Sequence, residues 1–185
     1  MAWNNSNLRY GSVAIILHWL MLVLILAVYA CIELHEFYPR GSATREALKQ
    51  WHYMFGLTVF FLVWFRIVIH LMQARPVITP SPPRWQLVMA RGIHVLLYLL
   101  MVGMPIGGWL ILSFEGETIP FWGLELPPLS GNNRDMAHTI EEIHGTIGKI
   151  GYFLIGLHAF GALVHHYFTK DNTLTRMLPA RNRNH

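Results

Sequence analysis

Val13–Ile32 reads VAIILHWLMLVLILAVYACI, twenty consecutive residues without an acidic or cationic side chain. An α-helix rises 1.5 Å per residue, so a run of this length matches the roughly 20 residues needed to cross a bilayer core. It is too long for a typical signal-peptide core, and Tyr29 stands where a cleavage site would want a small residue. Three further runs follow at about 52–71, 93–114 and 144–168, the second interrupted only by Arg66. Charged residues make up 13% of the chain, about half the usual globular share of roughly 25%. A disordered tail or nucleic-acid arm is thereby excluded, and the single cysteine, Cys31, excludes an intrachain disulfide. The expectation is one membrane domain over residues 1–185, all-α, with four spans and a tail at 169–185. Pro105, Gly107 and Gly108 predict a local kink in the third span.

Loop charges orient the spans. The 72–92 loop carries Arg75, Arg84 and Arg91 with no acid, and the tail adds Lys170, Arg176, Arg181 and Arg183 against Asp171. The 115–143 loop carries Glu115, Glu117, Glu125, Asp135, Glu141 and Glu142 against Arg134. Cytoplasmic loops concentrate Lys and Arg, so both termini are placed in the cytoplasm and loops 33–51 and 115–143 outside it. The net charge of +4 therefore reports topology rather than a polyanionic partner.

Eleven histidines are many for such a chain, and one inside a span is costly unless partnered. His18 lies in the cytoplasmic half of the first span, and His52 opens the second from the outer side. His144 and His158 lie fourteen residues apart on the fourth. That spacing is about 40° short of four turns, so both project from one face, roughly 21 Å apart along the axis. His144 matches the depth of His52, and His158 that of His18. Two pairs of imidazoles at two depths are what two six-coordinate b haems require, and bundle cores are a normal place to build such sites. The fold expected is an integral membrane four-helix bundle with two stacked b-type haem sites. Gly56 and Gly148 each follow a candidate ligand by one turn, giving a shared H-x-x-x-G pattern that serves close approach of a macrocycle or of another helix. His70, five turns after His52, competes for the inner site; His94, His165 and His166 are further alternatives, and His35, His138 and His185 read as surface groups.

The segments LHWL (17–20), WHYMFG (51–56), IHGTIGKIGYFLIGLH (143–158) and HHYFTKDNTL (165–174) resemble the bacterial cytochrome b561 family, and the likeness spans nearly the whole chain. The resemblance implies an inner-membrane protein with two haem b groups, held by His18, His52, His144 and His158. It implies a reaction as well: superoxide is oxidised to dioxygen at the periplasmic face and its electrons pass through the haems to ubiquinone. On this resemblance the chain is expected to be a superoxide:ubiquinone oxidoreductase. Related cytochromes instead link a partner dehydrogenase or hydrogenase to the quinone pool, which is the alternative. A haem-free metal or proton transporter is a second.

Superoxide is an anion, and cations near the outer haem would raise its encounter rate. Arg45 and Lys49 are candidates for that steering; a solvated helix entry or a haem-propionate contact suits them equally. His165 lies seven residues beyond His158, within about 20° of the same face. Histidine can donate to a quinone oxygen and titrates near neutrality, and the resemblance also suggests His165 as the ubiquinone contact. Interfacial anchoring beside Tyr167 and Phe168 is the other reading.

Overall fold

The computed structural model describes residues 3–179, so the tail residues Arg181, Arg183 and His185 lie outside the described residues. Four long helices dominate: α1 (Ser12–Leu34), α2 (Ala43–Met72), α3 (Arg84–Glu115) and α4 (Arg134–Val164). All four are long and apolar enough to cross a membrane. Val23, Leu26, Leu99, Phe153 and Phe160 lie exposed along them, the reverse of a water-soluble protein and the expected outcome when hydrocarbon is the solvent. The all-α expectation holds apart from one small hairpin, β1 (Ile119–Phe121) and β2 (Leu124–Leu126), paired antiparallel with Ile119 opposite Leu126.

The apolar runs locate the helices but understate three of them. α2, α3 and α4 begin nine, nine and ten residues before positions 52, 93 and 144. Local signals set those starts. Ser42 Oγ accepts the N–H of Arg45, Asn133 Oδ1 accepts the N–H of Met136, and Pro83 immediately precedes α3. Side-chain oxygens at such positions satisfy orphan N–H groups, so a helix continues beyond the bilayer as far as its cap allows. α3 remains helical through Pro105.

The chain gathers into two compact units. One comprises Met21–Val63 and Tyr98–Gly151. Its core joins Leu57, Leu112 and Ile119, with Tyr53, Trp109, Phe121 and Leu126 packed on them. The hairpin therefore packs against side chains of α2 and α3 and is not a loose loop. Its turn residues Trp122 and Gly123 have φ of 49° and 85°, the left-handed pair that a two-residue hairpin turn demands. Trp122 is held there by an Nε1–H donated to Thr58 Oγ1 at 2.8 Å and by its packing on Trp51, 5.8 Å between ring centres. Trp109 Nε1 donates to Pro127 O at 3.0 Å, and Asn133 N to Phe114 O at 2.9 Å, so the segment returning to α4 is fastened as well.

The other unit comprises Met1–Leu20, Trp64–Leu97 and Tyr152–His185. Here the N-terminal segment, the loop after α2 and the tail after α4 are sewn together. Asn5 bonds to Gln73 and Ala74, Val77 N donates to Asn7 O, and Arg9 reaches the carbonyls of Thr175 and Leu178. Arg176 donates to Pro76 O at 2.7 Å and lies over the Tyr10 ring. Trp19 Nε1 donates to Met177 O at 2.9 Å. α4 closes in a π turn, His165–Thr169, that ends at Lys170 in the left-handed conformation, φ 55°.

Candidate functional site: two pairs of histidines

Each compact unit holds one histidine pair. In the first, α2 and α4 bring the rings of His52 and His144 to 6.3 Å between centres. His52 Nδ1 lies 2.9 Å from Val28 O on α1. A carbonyl can only accept, so Nδ1 carries the proton and Nε2 keeps its lone pair, the state a metal-binding histidine needs. His144 Nδ1 is buried without a hydrogen-bond partner. A Cβ added at Gly107 would stand 3.3 Å from that nitrogen, so this glycine on α3 makes the room the ring occupies. At Gly56, one turn beyond His52, a Cβ would meet no protein atom within 4 Å.

In the second unit, α1 and α4 bring His18 and His158 to 6.2 Å. A third imidazole joins them: His94 on α3 lies 5.1 Å from His158, with its Nδ1 donating to Ala90 O. Arg66 on α2 donates from Nη2 to His18 Nδ1 at 2.9 Å. His94 is among the alternative ligands in the sequence, where it stands at the head of an apolar run that begins at 93. The true start at Arg84 places it nearly three turns inside α3, which the Pro83 signal could have shown.

These distances can be tested against a haem. Metal–imidazole bonds are about 2 Å and a ring nitrogen lies about 1 Å from its ring centre, so two imidazoles on opposite sides of one metal sit about 6 Å apart. Both pairs meet that requirement. His52 also has the right tautomer, and the orphaned His144 nitrogen and the open space at Gly56 suit a site shaped for a further group. His18 fits on one condition: its Nδ1 now accepts from Arg66, and a neutral ring ligating through Nε2 would carry its proton on Nδ1, so Arg66 must turn to another acceptor. Among the described residues no three His, Cys, Asp or Glu side chains converge to hold an ion. Two axial donors suit a metal already held by a macrocycle.

Arg45 donates to the carbonyls of His35 and Tyr38 and pairs with Glu36 at 3.2 Å, so it fastens the turn after α1. Lys49 pairs with Glu46 at 3.0 Å. His165 Nδ1 lies 2.5 Å from Asp171 Oδ2, a partnership at which only the six-residue spacing in the HHYFTKDNT run hints. His166 packs its ring on Tyr167.

Comparison with known proteins adds a second line of evidence. Residues 9–180 match the family model described as prokaryotic cytochrome b561. The chain is 38% identical over 173 residues to cytochrome b561 homolog 1 of Escherichia coli K12, covering 94% of this chain and 98% of that protein. It is 37% identical over 173 residues to the probable superoxide oxidase CybB of Yersinia pestis, covering 94% and 97% respectively. Cytochrome b561 homolog 2 of E. coli K12 is 26% identical over 179 residues, 96% of this chain and 95% of that protein.

Proposed function

Because the chain belongs to the prokaryotic cytochrome b561 family, multi-pass membrane proteins that bind b-type haem and transfer electrons, we propose that it carries two b haems and oxidises superoxide to dioxygen with ubiquinone as acceptor. The observation that carries this reading is the pair of ring separations, 6.2 Å for His18–His158 and 6.3 Å for His52–His144. When bound, the haems supply one-electron carriers of tunable potential. The protein's part is ligation, spacing and access. His52 is oriented by Val28 O, and His144 is seated against Gly107.

In this reading the chain is a single membrane domain in the bacterial inner membrane with both termini in the cytoplasm. The basic residues Arg75, Arg84, Arg91, Lys170 and Arg176 support that orientation against the acidic 115–143 loop. The His52–His144 pair then serves the outer face, where superoxide gives up its electron, and the His18–His158 pair serves the cytoplasmic side. Two superoxide anions each lose one electron, and one ubiquinone takes two electrons and two protons. His165, at the cytoplasmic end of α4, is the quinone contact. Arg45 and Lys49 contribute positive potential at the outer face, although each is already paired with a glutamate.

The test is a haem count with oxidised and reduced spectra of the purified protein, followed by addition of superoxide and a ubiquinone analogue. Two low-spin b haems reduced by superoxide and reoxidised by the quinone are expected. Two haems inert to superoxide would assign the chain to electron relay between a partner oxidoreductase and the quinone pool. No haem would end the reading in favour of a transporter.

A further inference from the structure

Among the described residues Asp171 is the one acidic residue that is buried. A carboxylate out of water is costly unless each oxygen is engaged. Oδ2 lies 2.5 Å from His165 Nδ1, and Oδ1 accepts the N–H of Thr173 at 2.8 Å. Its own N–H returns to His165 O at 3.1 Å. The π turn and the left-handed Lys170 fold the chain back to make this pairing possible. π turns of this kind recur at functional sites. Burial alone would raise the Asp171 carboxyl, but the hydrogen bonds from His165 and Thr173 outweigh it and hold it below the usual carboxylate range. An ionised carboxylate can only accept, so the His165 proton sits on Nδ1 and Nε2 is the nitrogen left to exchange one. The ring is partly exposed, with 21% of its side-chain surface accessible.

We infer that Asp171 is a positioning residue: it fixes the His165 ring and balances the charge the ring gains, so that Nε2 delivers a proton to a quinone carbonyl oxygen. The inference rests on the ubiquinone reading above. The quinone gains two electrons, supplied by superoxide through the protein's carriers, and two protons. His165 Nε2 gives one proton and recovers it from cytoplasmic water; water supplies the other directly. Asp171 touches neither quinone nor haem. It acts through the imidazole, as the buried acid of a hydrolase triad does through its histidine.

Asp171→Asn separates this role from a structural one. Thr173 N–H would keep the amide oxygen, so the amide NH₂ would face His165 Nδ1 and drive the ring proton to Nε2. The ring could still donate a hydrogen bond to a bound quinone but would have lost its counter-charge. With ubiquinone-1 as acceptor, kcat should fall about 100-fold, the usual scale of a lost general acid, with KM essentially unchanged. Haem content and reduction of the haems by superoxide should stay at the wild-type level. Unchanged kcat overturns the proposal, as does loss of haem or a parallel change in kcat and KM. Wild-type haems that ubiquinone-1 does not reoxidise would instead refute the quinone reading itself. Nitrogen-15 spectra of histidine-labelled wild type give a second arm that does not depend on the variant assembling. The His165 ring, assigned by its absence in His165→Gln, must carry a proton on Nδ1; a ring protonated on Nε2 alone overturns the proposal.

Discussion

Tyr29 on α1 donates its hydroxyl proton to the Gly148 carbonyl on α4 at 2.9 Å, and a Cβ placed at Gly151 would overlap the same hydroxyl oxygen. Leu100 on α3 closes the site from another side, 3.3 Å from that Cβ position. Gly151→Ala must therefore displace Tyr29, an overpacking cost of about 1–3 kcal/mol. A lower melting temperature is expected. Adding Tyr29→Phe removes the offending oxygen and should recover part of the loss; no recovery would mean that another contact decides the packing.

His52→Ala should remove one haem and leave the other, because the His18–His158 pair belongs to the other compact unit. Haem extraction with reduced-minus-oxidised spectra reads this directly. Retention of both haems with unchanged spectra would refute the His52–His144 pairing.

Gly56 and Gly107 make opposite demands near that pair. Gly107→Val should press on the His144 ring and lower haem occupancy at the His52–His144 pair, since even a Cβ stands 3.3 Å from Nδ1. At Gly56 the protein alone has room for a side chain. Gly56→Leu should nonetheless reduce haem content if the macrocycle lies beside His52, whereas Gly92→Leu, on an equally open glycine, should not. Full haem occupancy in Gly56→Leu would assign that space to lipid.

Acid should loosen the tail in a defined window. Asp171 has a folded carboxyl value lowered from the ordinary 3.8, so its stabilisation is fully present above that value and is lost as pH falls through the folded one. Hydrogen exchange of the 171–178 backbone should therefore show protection that persists from neutrality down to the ordinary carboxyl value and collapses only below it. Loss of protection nearer neutrality would mean that a group other than Asp171 holds the tail.

The pairing of the candidate histidines was legible because helical geometry turns spacing into direction. His144 and His158 share a face by arithmetic alone, and depth matched them to His52 and His18. Residues whose role depends on chain reversal were not legible. The hairpin around Trp122 has strands of three residues, and it stands because Ile119 finds Leu57 and Leu112. Asp171 reaches His165 only through a π turn, and neither periodicity nor hydropathy announces one. The early starts of α2, α3 and α4 were written in Ser42, Pro83 and Asn133, but a search for bilayer-length apolar runs passes over polar helical extensions. Arg45 shows the same limit from another side. Its positive charge is plain in the sequence, but its bonds to the carbonyls of His35 and Tyr38, ten and seven residues back, depend on the turn after α1.

The seam joining the N-terminal segment to the tail sets an order of events during biosynthesis. Arg9 bonds to residues 166 and 169 positions later, and Trp19 to one 158 positions later. At a synthesis rate of roughly 5–20 residues per second, these earliest residues wait on the order of ten seconds for their partners to be made. The clasp can close only after residues 175–178 have been made, so a ribosome stalled before them would leave four inserted helices unlatched at that end.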